Sequence, residues 1–272
     1  MLRYAPTLCC MEWTKPELTK SELIGSELIK SELIKPAWPA PANVNAFSST
    51  RRGGFSEGPF QSLNLGDHVG DCADTVRRNR QQFQCEAAMP GQPVWLNQTH
   101  STQCITLSSP AVTVGNADAS FSRQSGLICT VMTADCLPIL ICNQQGSEVA
   151  AVHAGWRGLC NGIIENSVQL FSQPEACMAW LGPAISQHAF EVGAEVRAAF
   201  VRQDPDAAAA FIPGASGKWF ADLYSLARQR LVRCGINDIY GAEHCTYQQT
   251  STFFSYRRDG QTGRMATAIW LD

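Results

Sequence analysis

The sequence lacks three things that would have fixed its class at once: a strong charge of either sign, a CxxC pair and an apolar run long enough to cross a membrane. Its 272 residues carry a formal net charge of −3, so no electrostatic case exists for nucleic acid or for an acidic membrane surface as a partner. No apolar stretch approaches the ~20 residues of a membrane-spanning helix. Lys15, Glu17, Lys20 and Glu22 interrupt the place where a signal peptide would have its apolar core. A cytoplasmic location is expected. Twelve cysteines are present, a number that suits a disulfide framework only in a short secreted chain. Here they are scattered, and Cys129, Cys142 and Cys177 stand in apolar runs, so reduced core thiols are the plain reading for most of them. A hydrophobic content of 45% over this length fills one large domain or two small ones.

What is present centres on residues 132–159. Leu137-Pro138-Ile139-Leu140-Ile141 reads as a strand, Asn143-Gln144-Gln145-Gly146-Ser147 as a turn, and Val149-Ala150-Ala151-Val152 as a second strand. Cys136 and His153 therefore stand at the ends of two neighbouring strands and can face one point. A thiolate and an imidazole that meet there suit either a metal site or a nucleophile pair. Asp135 places a carboxylate directly beside Cys136. After His153, Gly155 and Gly158 bracket a tight turn into a helix over 159–171, which puts Arg157 at a helix N-terminus suited to an anion.

Residues 1–36 hold a five-residue repeat, PELTK-SELIG-SELIK-SELIK, from Pro16. A period of five makes no single helical stripe, and the segment is read as a loosely helical or flexible extension without a role in chemistry. A single catalytic domain is expected over 37–272. A strand over 46–50 ends in Arg51-Arg52-Gly53-Gly54, where Arg51 is a candidate anion ligand and a solvated turn is the plainer alternative. Asn64 and His68 lie in a polar, glycine-rich loop. Asp74 reads as the N-cap of a helix over 75–88. His100 follows a short strand at 94–96 and taken alone is an ordinary hydrogen-bonded histidine. The run FFSYRRDG from Phe253 reads either as a wall that stacks on a planar ligand or as an edge strand, and 266–271 as the closing strand.

The segments SSTRRGGFS, SLNLGDHVGD, NQTHS, MTADCLPIL, HAGWRG, LGPAI, CTY and FFSYRRDGQTGRMA occur in order. Together they resemble the YfiH family, also called the multicopper polyphenol oxidoreductase or laccase-domain family, over about 37–272. The resemblance implies an α+β fold, a four-layer α/β/β/α sandwich with two mixed sheets. It also implies a His-Cys-His metal site, and the matching positions are His100, Cys136 and His153. Two imidazoles and one thiolate suit Zn²⁺ and leave a fourth position open; Cu²⁺ is compatible with the same donors.

The activities the resemblance implies are phosphorolysis of adenosine, inosine, guanosine and methylthioadenosine, and deamination of adenosine. The partners are then a nucleoside and phosphate. Arg51 and Arg157 become candidates for phosphate, Asn64 and His68 for ribose or phosphate, and Asp135 for the donor to the departing purine. Copper-dependent oxidation of phenols is the reading of the older family name. The chain has only five histidines, at 68, 100, 153, 188 and 244, too few for a mononuclear site and a trinuclear cluster together. A third reading makes Cys136 a nucleophile and His153 its base, in an amidase that edits a peptidoglycan precursor carrying serine in place of alanine. The same His-Cys-His set with zinc could serve that amidase. The sequence gives no oligomeric state.

Overall fold

A computed structural model describes residues 32–109 and 115–272; most of the repeat segment lies outside them. The elements, in chain order, are β1 (Leu33–Ile34), β2 (Val44–Ser49), α1 (Ala73–Glu86), β3 (Cys104–Thr106), β4 (Ala119–Ser122), β5 (Cys129–Thr133), β6 (Leu137–Asn143) and β7 (Val149–Ala154). There follow α2 (Trp156–Asn161), α3 (Ile163–Val168), β8 (Cys177–Leu181), β9 (Glu191–Val192), α4 (Ala194–Gln203), β10 (Phe211–Pro213) and β11 (Trp219–Ala221). The last are α5 (Leu223–Arg233), β12 (Asp238–Gly241), α6 (Tyr256–Asp259) and β13 (Met265–Leu271). No helix among the described residues is long and apolar enough to cross a membrane.

Two sheets stack face to face, in the orders β1-β2-β13-β5 and β12-β8-β6-β7-β4-β3. The alternation of side chains along each strand shows what covers each face. From β13, Ala266, Ala268 and Trp270 turn outward onto Phe83 of α1. Ile269 and Leu271 turn inward, where they meet Leu140, Val149 and Trp180 of the larger sheet. The opposite face of that sheet, with Ile139, Ile141 and Val152, packs on Ile163 and Ile164 of α3, Phe200 of α4 and Leu231 of α5. The result is the four-layer α/β/β/α sandwich. Every residue of β5, β6, β7, β8 and β13 is buried, which is why these strands read as largely apolar runs rather than as alternating ones.

The sheets differ from the expectation of two mixed ones. The larger is mixed, because β12 runs parallel to β8 and β3 parallel to β4; the long β8-to-β12 connection carries helices, as a parallel crossover requires. The four-stranded sheet is wholly antiparallel, since β13 inserts between β2 and β5 against the direction of both. A third, three-stranded antiparallel sheet, β10-β11-β9, was not expected from the sequence.

Local differences have local causes. Asp74 stands inside the first turn of α1 and pairs with Arg77 at 2.6 Å, while Cys72 takes the N-cap position. The single helix expected over 159–171 is two short ones, because Gly162 takes φ 108° and breaks the run between α2 and α3. The strand over 94–96 reduces to one bridge, Val94 to Cys129. Leu33 and Ile34, at the end of the repeat, form the edge strand on β2.

Truncating a side chain at the middle of a strand covered on both faces leaves a cavity that neither layer can close. Ile139→Ala, at a fully buried position, is expected to cost about 2–5 kcal/mol of stability, read from the midpoint of a urea transition. A midpoint unchanged from wild type would show that the β6 layer is not the core described.

Candidate metal centre and its cavity

The antiparallel pairing of β6 and β7 sets Pro138 opposite His153 and Leu137 opposite Ala154. Cys136 and Gly155 thus follow as the next opposed positions, and Cys136 and His153 sit at one end of the sheet. His100 comes from the loop ahead of β3 and holds a left-handed backbone, φ 59°. One ligand atom from each of His100, Cys136 and His153 lies within 4.8 Å of the other two. His100 Nε2 stands 3.7 Å from Cys136 Sγ, and the two imidazoles meet edge to face at 4.9 Å. The absence of a side chain at Gly155 makes this convergence possible: a Cβ there would stand 2.6 Å from His100 Cδ2 and 3.1 Å from Cys136 Sγ.

The residue that assembles the group escaped the sequence reading. Asp118, fully buried just before β4, accepts backbone N–H groups from Thr99 at 3.2 Å, His100 at 2.9 Å and Ser101 at 2.6 Å. It also accepts the Ser101 hydroxyl at 2.6 Å and pairs with His153 Nδ1 at 2.8 Å. One carboxylate therefore holds the His100 loop in its left-handed conformation and orients the His153 ring, which turns Nε2 of His153 towards Cys136 as its candidate metal-donor atom. Burial pushes the Asp118 carboxyl up, but the hydrogen bonds from His153 and Ser101 outweigh it and hold the group well below the usual carboxylate range. Its only trace in the sequence is an acidic residue in an otherwise small and apolar stretch, Ala117-Asp118-Ala119.

The thiol and imidazole are poised together. Burial opposes ionisation of Cys136, yet the charge of His153 and the hydrogen bonds of His100 and His153 outweigh it and lower its pKa. Burial disfavours the charged form of His153 as well, but the Cys136 charge and the Asp118 hydrogen bond overcome it and raise its pKa. A preformed thiolate beside two imidazoles, one of them fixed by a carboxylate, fits a borderline metal such as zinc.

The group forms the floor of a cavity of about 550 Å³. Of the residues singled out from the sequence, His68, Asp135 and Arg157 also line it. Arg157 stands in the first turn of the six-residue α2, is exposed, and lies over the Trp156 ring at 4.4 Å. Asp135, at φ 94°, accepts the Thr246 hydroxyl and the backbone N–H of Arg257, each at 2.7 Å. Both its oxygens are engaged, and it ties the C-terminal segment to the cavity.

Arg51 and Asn64 are not brought to the cavity. Arg51 donates to the carbonyls of Gln61 and Thr250, at 2.8 and 3.1 Å, and lines a separate hollow with Arg52 and Ser251. Asn64 is buried and ties its own loop, through Gly66 and Asp71, to the backbone of Arg264. The cavity gains instead Arg257, Arg264, Phe190 and Tyr256. Three of these four come from the C-terminal segment, whose aromatic–arginine composition was the available signal. That run forms a cavity wall and the short helix α6, not an edge strand.

Because Gly155 opposes Cys136, a single methyl group tests the geometry. Gly155→Ala is expected to retain the fold and to bind added Zn²⁺ far more weakly than the wild type, measured by metal analysis after dialysis. Zn²⁺ binding in that variant equal to the wild type's would show that the three donors do not converge as described.

The comparisons with known proteins agree with this architecture. Residues 45–272 match the family model described as multi-copper polyphenol oxidoreductase laccase. A Shigella flexneri protein named purine nucleoside phosphorylase YfiH is 54% identical over 237 residues, 87% of this chain and 97% of the relative. The Escherichia coli K12 protein of the same name is 53% identical over the same length. The crystal structure of the Neisseria meningitidis protein NMB0706 superposes with a TM-score of 0.85 at 51% identity, covering 88% of this chain and 99% of that one. YlmD from Geobacillus stearothermophilus superposes with a TM-score of 0.82 at 29% identity, over 90% and 98% of the two chains. With a family model matched over most of its length and close relatives aligned nearly end to end, this chain belongs to the multicopper polyphenol oxidoreductase laccase family, the family of YfiH.

Proposed function

We propose that the chain is a zinc-dependent purine nucleoside phosphorylase that cleaves adenosine, inosine, guanosine and methylthioadenosine with phosphate and also deaminates adenosine. The observation that carries this reading is the composition of one cavity. A His-Cys-His donor group forms its floor, the rings of Trp156, Phe190 and Tyr256 line it, and Arg157, Arg257 and Arg264 add positive charge. A purine is a flat ring system that stacks on aromatic faces, and a phosphate takes the paired donors of guanidinium groups. The two substrates of a phosphorolysis thus find matching surfaces in a single space, and the names of the relatives support the same assignment.

His100, Cys136 and His153 would hold the zinc ion, which when bound supplies Lewis-acid polarisation at the cavity floor. The remaining work falls to the protein. Asp118 keeps the His153 ring in one orientation and fixes the His100 loop. Asp135 positions the Arg257 backbone and acts as a positioning residue rather than as the donor to the purine, since both its oxygens already accept hydrogen bonds. The apolar side chains Ile185, Phe190 and Leu223 exclude water from the base, which favours transfer of the sugar to phosphate over hydrolysis.

Oxidation of phenols by copper finds less support in the side chains. Among the described residues His100, Cys136 and His153 are the one group of three metal donors, and His68, His188 and His244 join no second cluster. The amidase reading shares the donor group, and its substrate separates it.

Protein purified without added metal is expected to hold about one zinc ion per chain, as a single three-donor site with one open position would. With adenosine and phosphate the wild type should form adenine and ribose 1-phosphate, and inosine from the deamination; Cys136→Ala should retain neither zinc nor turnover. Zinc retention should also weaken as the pH falls, because protons compete for the thiolate and the imidazoles. Several bound copper ions with phenol oxidation would sink the proposal, and zinc without nucleoside turnover would point to the serine-bearing precursor.

A further inference from the structure

The three arginines of the cavity have different surroundings. Arg157 and Arg257 are exposed, laid against the rings of Trp156 and Phe190. Arg264 is half-buried, with its guanidinium 5.9 Å from the Tyr256 ring, and burial is the leading cause that lowers its pKa, against the opposing influence of Cys136 and Asp135. Its hydrogen bonds leave from one amino group only, to the carbonyls of Thr262 and Gly263 at 3.0 Å each. Among the described residues the Nε and the second amino group meet no protein acceptor, and no carboxylate pairs with the charge. A half-buried cation with idle donors facing a cavity is suited to a ligand that supplies the acceptors.

The arginine is also fixed in place. Its backbone N–H donates to Asn64 Oδ1 at 2.9 Å, and its carbonyl accepts from Leu65 at 3.1 Å. Gly66 leaves room for the side chain, since a Cβ there would stand 2.8 Å from Arg264 Cγ. The same loop carries His68 to the cavity. Burial first, and the charge of Arg264 second, hold His68 below its usual pKa, with Asp67 opposing and Arg80 adding to the effect. A guanidinium and a titratable imidazole thus share one space, near enough to Cys136 and Asp135 for Arg264 to sense both.

We infer that Arg264, clamped by the Asn64–Gly66 segment and sharing the cavity with His68, is the residue that anchors inorganic phosphate. The identity of the anion rests on the phosphorylase reading; the anion site itself rests on these residues alone. A guanidinium presents a rigid pair of donors to two phosphate oxygens, and Asn64 serves by holding the arginine from behind. Arg51, in its separate hollow, takes no part.

The test is equilibrium binding of inorganic phosphate to the zinc-loaded full chain by calorimetry, with NMR titration of the histidines in its presence and absence. Wild type should bind phosphate and the His68 pKa should rise on binding. Arg264→Gln should weaken binding at least about ten-fold, the scale of losing a charge-assisted pair, with zinc content and melting temperature retained. Arg264→Lys should recover only part, as a point charge replaces a fork. Arg77→Gln, on the solvent face of α1, should bind as wild type does. Binding by Arg264→Gln within about two-fold of wild type overturns the inference, as does equal loss in Arg77→Gln. Should Arg264→Gln fail to fold, wild type decides alone: phosphate binding that leaves His68 unshifted overturns it. Phosphate held through Arg264 without any nucleoside cleavage keeps the anion site and removes the phosphorylase reading. Phosphorolysis with an unchanged phosphate KM in Arg264→Gln does the reverse.

Discussion

Asp118 is a carboxylate with no access to solvent, and it stays ionised because five donors meet it: three backbone N–H groups of residues 99–101, the Ser101 hydroxyl and the His153 ring. Those bonds join two parts of the chain that no strand pairing connects. One is the loop that delivers His100; the other is the end of β7. An uncompensated charge at this depth is among the costliest defects a fold can carry, so the loop cannot relax without exposing it. The donor group is consequently preorganised. His100 is kept at a positive φ that a histidine seldom adopts, and the strain is offset by the hydrogen bonds at its own backbone.

The cavity depends on a second constraint, the close approach of β6 and β7 at their ends. Backbone pairing there brings Cys136 against Gly155, and only a residue without a side chain leaves room for sulfur and imidazole together. Around this floor the walls come from distant parts of the sequence: the loop that carries His68, the start of α2 and the segment through α6. Asp135 joins two of these regions through Thr246 and Arg257. The doubly covered sheet beneath is the rigid support such a site needs, because sites carried on packed strands hold their geometry better than sites on free loops.

Much of this was legible in the chain, and the reasons are local. The turn at 143–147 and the apolar runs on either side of it determine a hairpin, and a hairpin determines that Cys136 and His153 lie together. The largely apolar character of β6, β7 and β13 signals strands covered on both faces. Other features were not legible because their causes are not local. Arg51 and Arg264 each follow a glycine-rich polar segment, or belong to one, and nothing in their neighbours says which faces the cavity. Asn64 carries the polar chemistry of a ligand but spends it on its own loop. Asp118 stands between two alanines, and nothing in that local context says that five donors from other parts of the chain will meet it.

The sequence by itself determined the strand pair and the family motifs, which depend on residue type and local spacing, and it was the resemblance carried by those motifs that pointed to His100, Cys136 and His153 as a donor group. Tertiary structure alone decided which arginines meet in the cavity, that the smaller sheet is antiparallel, and that Asp118 is the centre of the site. The physical reason is that a hydrogen bond or an ion pair costs or stabilises according to burial and partner, and both are properties of the packed chain. A charged side chain reads the same in sequence whether water or a cavity will surround it.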